Sequence, residues 1–271
     1  MFDELLNKAN SWKKKTDAEN VSINISYLKE NVLPLKHINL NTIPWVFSHI
    51  PKTAGTSAES YLAQAFELKD TLHINAPDLN RLPQVMYLKN KFPQLIMGHH
   101  PIHALLYQLL PNTKIVHLSM MREPISRTLS YYNYITTREY HALHQQVKNL
   151  NFDNFLAQNS MVELHNGQAK RLSGHLHSQE TISDNDLYFK AKYVIDNCFS
   201  LIGVTEYFKQ FHQLIAKQCG ISFKELPPIN RSKIKVQLRD LDRKQLMKIK
   251  ENNRVDIQLY DYVKSKFLEN I

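Results

Sequence analysis

The stretch PWVFSHIPKTAGTSAESYLAQAF, from Pro44 to Phe66, joins a short apolar run to a turn rich in lysine, glycine and hydroxyl side chains. The apolar run predicts a buried strand, and the apolar residues after the turn recur at the period of a helix. Thr56 and Glu59 have the spacing of a capping box, which predicts that the helix begins at the turn. The predicted strand contains Trp45, Val46, Phe47 and Ile50, and the apolar helix face contains Ala58, Tyr61, Leu62, Ala65 and Phe66.

This strand, turn and helix together predict a phosphate-binding loop. The first turn of a helix has backbone N–H groups without partners, and the helix dipole adds partial positive charge there. In the Walker A loop a lysine follows the last glycine, and the next hydroxyl holds a magnesium ion. Here Lys52 precedes Gly55 and Thr56. We therefore expect the lysine to approach an anion from the strand side, in a phosphate loop of a different lineage.

Composition sets the class of protein. A chain of 271 residues with 43% hydrophobic content is long enough for a full core, and one α/β domain is the expectation. The 34 Lys and Arg residues exceed the 25 Asp and Glu residues, for a formal charge of +9. This balance favours anionic ligands such as nucleotides, acidic glycans or nucleic acid, although a basic surface alone also accounts for many of the charges. Cys198 and Cys219 are too few for a disulfide framework, and we expect buried thiols.

The N-terminal residues bear on the compartment. The segment MFDELLNKANSWKKK has no apolar core of signal-peptide length, and no run elsewhere approaches a membrane span. We therefore expect a cytoplasmic protein without a membrane span. Residues 1–43 are polar and weakly periodic, which predicts an N-terminal extension packed on or beside a domain of residues 44–271.

Strands and helices alternate along the rest of the chain. This alternation predicts an α/β fold, with a central parallel sheet between helical layers and ligands beyond the carboxyl ends of the strands. The predicted elements are a helix at 79–91 capped by Asp78, a strand at 95–97 ending at Gly98, a strand at 114–121, a helix starting at Glu123 and Pro124, a strand at 201–205, a helix ended by Gly220, and one or two basic helices in 241–268.

A second anion site is predicted in HLSMMREPISRTLSYY. Arg122 leaves the predicted strand and Ser130 lies two turns into the next helix, so both reach one point above the sheet edge. A guanidinium suits a phosphate because its planar donors bind two oxygens at once. Arg127 is either a further ligand or a helix-surface cation. A P-loop kinase needs an acidic residue at such a strand end to hold magnesium, and the arginine there favours metal-free transfer.

Histidines cluster in MGHHPIHAL, and a histidine is suited to remove a proton at neutral pH. His99 follows Gly98 at a strand end, and His100 is its rival. A zinc site of His99, His100 and His103 lacks a cysteine or carboxylate nearby to complete the ligand set. The other histidines are expected to be structural or at the surface, with two beside a tyrosine-rich segment that is suited to line an acceptor cleft. The former are His49 and His117, and the latter are His141 and His144.

These blocks resemble the sulfotransferases that use 3′-phosphoadenosine 5′-phosphosulfate (PAPS). The likeness is greatest to the carbohydrate-type, heparan sulfate 2-O-sulfotransferase-like branch, whose loop reads close to PKTAGTS or PKTGSTS. The second block matches the R-[DE]-P-x-x-R-x-x-S-x-Y pattern of the family's 3′-phosphate site, and the family has a Gly-His segment that supplies its base. Two further blocks, at 166–174 and 201–208, also resemble the family, so that the resemblance spans residues 44–267.

The resemblance implies a P-loop-like three-layer α/β/α fold, PAPS as cofactor without a metal, and an acceptor hydroxyl on a carbohydrate. It implies that His99 is the catalytic base, that Lys52 also serves catalysis, and that Arg122 and Ser130 bind the 3′-phosphate. Relatives close a late loop over the nucleotide, and Arg231–Lys233 are either that loop or a solvated charged one. The residues implied for the 5′-phosphosulfate are Lys52, Thr53, Ala54, Gly55, Thr56 and Ser57.

Two other functions stay open. A nucleotide kinase would depend on magnesium and bind ATP. A non-catalytic basic protein would bind RNA or an acidic glycan with an affinity that falls steeply with salt. No recognisable RNA-binding module is present, and we expect no nucleic-acid partner.

Overall fold

The computed structural model describes residues 1–35, 43–74, 76–89, 91–176, 181–225 and 235–271. In this part of the chain, one parallel sheet has the strand order β2-β3-β1-β4-β5. The predicted parallel sheet is thereby confirmed, and β1 lies at its centre. The strands are β1 (Trp45–Ser48), β2 (Thr71–Ile74), β3 (Leu95–Gly98), β4 (Val116–Met121) and β5 (Leu201–Val204).

Helices cover both faces of the sheet, which confirms the three-layer prediction. Side chains alternate along a strand, and Trp45 and Phe47 pack with one helical layer while Val46 packs with the other. The α-helices of the described ranges are α1 (Phe2–Lys13), α2 (Asp17–Asn31), α3 (Gly55–Leu62), α4 (Leu82–Leu88), α5 (Leu105–Leu109), α6 (Pro124–Ile135), α7 (His144–Val147), α8 (Phe152–Leu156), α9 (Gly167–Ser173), α10 (Asp184–Asn197), α11 (Phe208–Cys219), α12 (Arg243–Asn252) and α13 (Arg254–Leu268).

Residues 1–35 form the helices α1 and α2, which pack on the Val46 face of the sheet. The side chain of Leu28 is fully buried there. The chain then runs beside β4, where the Leu33 N–H donates to the Ile115 carbonyl oxygen at 2.9 Å and Val32 makes a parallel bridge to Ile115. The first 35 residues therefore complete one helical layer.

The predicted capping box at Thr56 is wrong. Helix α3 begins at Gly55, its N-cap is Ala54 in the left-handed region at φ 61°, and no side chain caps it. The Glu59 carboxylate bonds instead to two histidines. These tertiary hydrogen bonds outweigh a local bond to an exposed helix end, which water satisfies equally well.

The predicted cap at Asp78 is also wrong. A 3₁₀ helix covers Ala76–Arg81, and α4 follows with Arg81 at its N-cap. Pro83 lies in the first turn of α4, where its missing N–H costs no helical hydrogen bond. Proline thus sets the start of this helix.

The other predicted boundaries agree with the structure to within a few residues. The Glu123 carboxylate caps α6 by accepting the N–H groups of Ile125 at 2.9 Å and Ser126 at 2.7 Å. Gly220 ends α11 in the left-handed region, and the C-terminal segment forms two helices, α12 and α13. Both cysteines are free. Cys198 is buried, and burial raises the pKa of its thiol to about 12.

We predict that Leu28→Ala lowers the free energy of unfolding by about 2–5 kcal/mol, because it leaves a cavity beneath α2. Urea unfolding measures the change. Ile23→Ala is the matched control on the same helix, since Ile23 is 39% exposed. Equal small effects of both substitutions would contradict the packing of α2 on the sheet.

Candidate functional site

A cavity of about 720 Å³ opens beyond the carboxyl ends of β1, β3 and β4. It brings together the two predicted anion sites and the predicted base His99. Thr53 lies behind the lining, fully buried, and its hydroxyl donates to the Ile50 carbonyl oxygen at 2.8 Å. The predicted site residues that line the cavity are Lys52, Ala54, Gly55, Thr56, Ser57, His99, Arg122 and Ser130.

The loop between β1 and α3 has an unusual backbone. Lys52 and Ala54 have φ values of 70° and 61°, in a region that side chains disfavour. Such residues cost about 1–3 kcal/mol each and persist only when the surroundings fix them. Two arginines supply that constraint: Arg122 donates to the Lys52 carbonyl oxygen at 3.2 Å, and Arg127 donates to the Pro51 carbonyl oxygen at 3.0 Å.

Gly55 leaves room for a histidine ring. A Cβ atom at this position would lie 1.9 Å from Cδ2 of His49. Close approach, rather than a positive φ, is therefore what requires glycine here. His49 was expected to be structural or at the surface, and it lies in the cavity lining against this turn.

Lys52 reaches into the cavity with its charge only weakly compensated. Its Nζ lies 3.7 Å from the centroid of the Tyr134 ring, which is the geometry of a cation–π contact. Burial, with the nearby Arg122 and Arg138, lowers the pKa of Lys52 to about 8. Two neighbouring guanidinium groups and partial burial favour an anion as the partner of this ammonium group.

Arg122 is held in place from two sides. Its backbone N–H donates to Gln168 Oε1, and its carbonyl oxygen accepts from Gln168 Nε2, each at 3.0 Å. Burial lowers the pKa of the guanidinium, while the carboxylates of Glu206 and Glu123 oppose that change. The Gln168 amide thus fixes the backbone of Arg122, and its guanidinium donates to the loop at the Lys52 carbonyl oxygen.

Arg127 is buried, and its interpretation as a helix-surface cation is wrong. It is ion-paired with Glu163, whose other oxygen accepts from Nε of Arg171 at 2.8 Å. Burial by itself would raise the pKa of the Glu163 carboxyl, but the two guanidinium groups outweigh burial and lower it. Gly167 leaves space for this network, since a Cβ there would lie 2.9 Å from Glu163 Oε2.

His99 presents one ring nitrogen for chemistry. Its Nδ1 lies 2.8 Å from the His49 carbonyl oxygen, and because a carbonyl only accepts, Nδ1 carries the proton. Nε2 is then the basic nitrogen. Burial, with smaller contributions from His49 and Arg171, lowers the pKa of His99 to about 3, so the ring is neutral at neutral pH.

His100 and His103 lie apart from the cavity lining. His100 is buried against Tyr107, whose hydroxyl lies 3.2 Å from its Nδ1, and His103 bonds to the Gly174 carbonyl oxygen. In the part of the chain that is described, no three His, Cys, Asp or Glu side chains are grouped as ligands for a metal ion. His99 and His100 both follow the end of β3, and their side chains face different surroundings.

Several cavity residues were missed in the sequence. His141 lines the cavity, as its tyrosine-rich neighbourhood indicated, whereas His144 is buried and bonds to the Ile135 carbonyl oxygen. Arg171 lies in the block at 166–174, which resembles the family. That resemblance was the signal in the sequence from which Arg171 could have been predicted as a cavity residue. Arg231–Lys233 lie outside the described residues. The remaining missed lining residues are Pro51, Tyr131, Tyr134, Tyr140, Ala142 and Glu163.

A positively charged loop at the carboxyl edge of a parallel sheet, followed by a helix N-terminus, places this chain among the α/β proteins whose architecture suits an anionic ligand at that edge. The model of the sulfotransferase family matches residues 42–263. The chain therefore belongs to the sulfotransferase family, which makes it a transferase and sulfuryl transfer its general reaction. The curated proteins gave no significant match. Within the described ranges, no helix combines the length and apolarity that a bilayer crossing requires.

We predict that Arg127→Met lowers the free energy of unfolding by about 3–5 kcal/mol, because it leaves Glu163 without one of its buried partners. Arg239→Met is the control, since Arg239 is 79% exposed in its ion pair with Asp240. Chemical denaturation of both variants gives the comparison. A loss in Arg127→Met no larger than in the control would show that the buried pair contributes little.

The same network predicts acid sensitivity. The pKa of Glu163 is lower in the folded protein than the ordinary value of 4.5. Its contribution to stability is therefore present above about pH 4.5 and is lost as the pH falls through the folded-state pKa. Thermal melting across this range should show a smaller decrease on acidification in Glu163→Gln than in the unaltered protein, and an equal decrease would contradict the assignment.

Proposed function

We propose that the protein transfers the sulfuryl group of PAPS to an acceptor hydroxyl of a carbohydrate. The observation that carries the proposal is that one cavity holds both predicted anion sites. Lys52 and the start of α3 line this cavity together with Arg122 and Ser130. PAPS has a phosphosulfate and a separate phosphate on one adenosine, and two anion sites in one cavity suit such a ligand.

The residues present fit this ligand. Lys52 and Arg122 are both partly buried, and burial is the main cause that lowers their pKa values. A bound anion would offset the free-energy cost of keeping these charges away from water. Nε of Arg138, close enough to Lys52 to influence its pKa, is buried without a hydrogen-bond partner in the described structure. Lys52 and the N–H groups of residues 53–57 would hold the phosphosulfate, and Arg122 and Ser130 the 3′-phosphate.

PAPS supplies an activated sulfuryl group when it is bound. The chain's own contribution is to orient the acceptor, to accept its proton and to stabilise negative charge. His99 accepts the proton on Nε2, since Nδ1 is committed to the His49 carbonyl oxygen. Lys52 and the N–H groups at the start of α3 stabilise the charge that develops on the departing phosphate.

Aromatic groups support a carbohydrate acceptor. Tyr134, Tyr140 and His141 line the cavity on the side of the α6–α7 segment, and Tyr140 is 75% exposed. An exposed tyrosine offers an apolar face together with a hydroxyl. A sugar ring also has apolar faces and hydroxyl groups, so the two are complementary.

We predict that Arg122→Met weakens binding of adenosine 3′,5′-bisphosphate by about 10- to 100-fold, the value of one or two charge-assisted hydrogen bonds. Isothermal titration calorimetry measures this loss. Arg254→Met is the matched control, because Arg254 is 71% exposed and pairs with Asp184 outside the cavity lining. No preference of the unaltered protein for the bisphosphate over AMP would contradict the proposal.

We predict that His99→Asn lowers the rate of sulfuryl transfer by about 10²–10⁴-fold, because the general base is lost. Binding of the bisphosphate should be retained. His100→Asn is the discriminating control, since His100 lies outside the cavity lining and should leave most of the rate. Normal turnover by His99→Asn would exclude this base, and transfer from ATP with magnesium instead of PAPS would favour a kinase.

A further inference from the structure

A buried carboxylate lies behind two of the cavity histidines, His49 and His99. Glu59 accepts a hydrogen bond from His49 Nδ1 at 3.0 Å through one oxygen, and its other oxygen lies 3.2 Å from His73 Nε2. The Glu59 side chain is 9% exposed, the His49 side chain 8% and the His73 side chain 45%. The carboxylate therefore connects a histidine of the cavity to one that faces solvent.

The two cavity histidines form one unit. Their ring centroids lie 4.3 Å apart with a tilt of 35°, and the His49 carbonyl oxygen holds Nδ1 of His99. Two imidazolium rings at this distance would repel each other strongly. Any charge on His49 is felt at His99, and Glu59 acts on both through its bond to His49.

The surroundings of this pair are strongly cationic. In the described cavity Glu163 is already shared between Arg127 and Arg171, which leaves Glu59 as the carboxylate that directly faces a cavity histidine. The ionisable groups around the pair are Lys52 of the β1–α3 loop, Arg122 at the end of β4, Glu163 before α9, Arg171 of α9, Tyr131 and Tyr134 of α6, Tyr140 and His141 before α7, Glu59 of α3 and His73 of β2.

We propose that Glu59 is the counter-ion of the His49–His99 pair and a positioning residue for the base. The inference rests on the proposed function for its catalytic meaning. During transfer the acceptor O–H bond breaks and its proton goes to Nε2 of His99. The acceptor oxygen forms a bond to sulfur, and the sulfur–oxygen bond to the phosphate breaks with its electron pair on the phosphate oxygen. Glu59 stabilises the positive charge that this step places on the histidine pair.

His73 modulates the same carboxylate. The hydrogen bond to Glu59 raises the pKa of His73, although its partial burial opposes this change. A protonated His73 neutralises part of the charge on Glu59 and so weakens its effect on the cavity pair. Removal of Glu59 and removal of His73 should therefore change the proton affinity of the pair in opposite directions.

The test is an NMR titration of the histidine ring signals in the protein without ligands, with signals assigned from His49→Asn and His99→Asn. In Glu59→Gln, which is isosteric but uncharged, the apparent pKa of the pair should fall by about one unit or more. In His73→Gln it should rise. Glu67→Gln removes an equal charge from an exposed site and should leave it unchanged.

An unchanged or raised pKa in Glu59→Gln, or an unchanged or lowered one in His73→Gln, would overturn the proposal. If Glu59→Gln does not fold, His73→Gln alone decides. With PAPS and an acceptor, Glu59→Gln should show a lower plateau rate and an acid limb moved to lower pH, because the base is weaker. Absence of PAPS turnover in the unaltered protein would end the proposed function, while the titration would still decide the role of Glu59.

Discussion

The loop between β1 and α3 depends on the buried ion pair between Arg127 and Glu163. Arg127 donates to the Pro51 carbonyl oxygen from one side of its guanidinium and to Glu163 from the other, and Glu163 also binds Arg171. The pair thereby ties the loop after β1 to the segment that leads into α9. A loop with two residues at positive φ needs such external support, because its own backbone preferences favour other shapes.

The β1–α3 loop is also in contact with the histidines of the cavity. Gly55 makes room for the ring of His49, that ring packs on His99, and the His49 carbonyl oxygen fixes which nitrogen of His99 is basic. His49 thus connects two parts of the proposed site. It contacts both the loop that is proposed to bind the phosphosulfate and His99, which is proposed to accept the proton. A change in either one is expected to be felt by its neighbour.

Much of the sheet and of the β1–α3 loop was predictable because their signals are local: a short apolar strand, a glycine turn, and a helix with regular apolar spacing. The placement of Arg122 and Ser130 in one cavity was predictable from their positions at a strand end and in the following helix. The Thr56 cap, by contrast, failed because Glu59 is bound to histidines from β2 and from the end of β1. The burial of Arg127 likewise depends on Glu163, 36 residues away, and no local pattern reports it.

Helix α2 was missed for a different reason, since three of its four buried residues are asparagines rather than apolar residues: Asn20, Asn24 and Asn31 beside Leu28. Asn24 donates to the carbonyl oxygens of Ile102 and Ala104 in a distant turn.

The contact of Leu33 with Ile115 has a consequence for biosynthesis. Because the ribosome makes Ile115 some 80 residues after Leu33, the amino-terminal segment cannot make its contact beside β4 until residue 115 has been made. The first 35 residues therefore gain their neighbour beside β4 only after residue 115 has been made, and until then the apolar side of α2 lacks part of its cover.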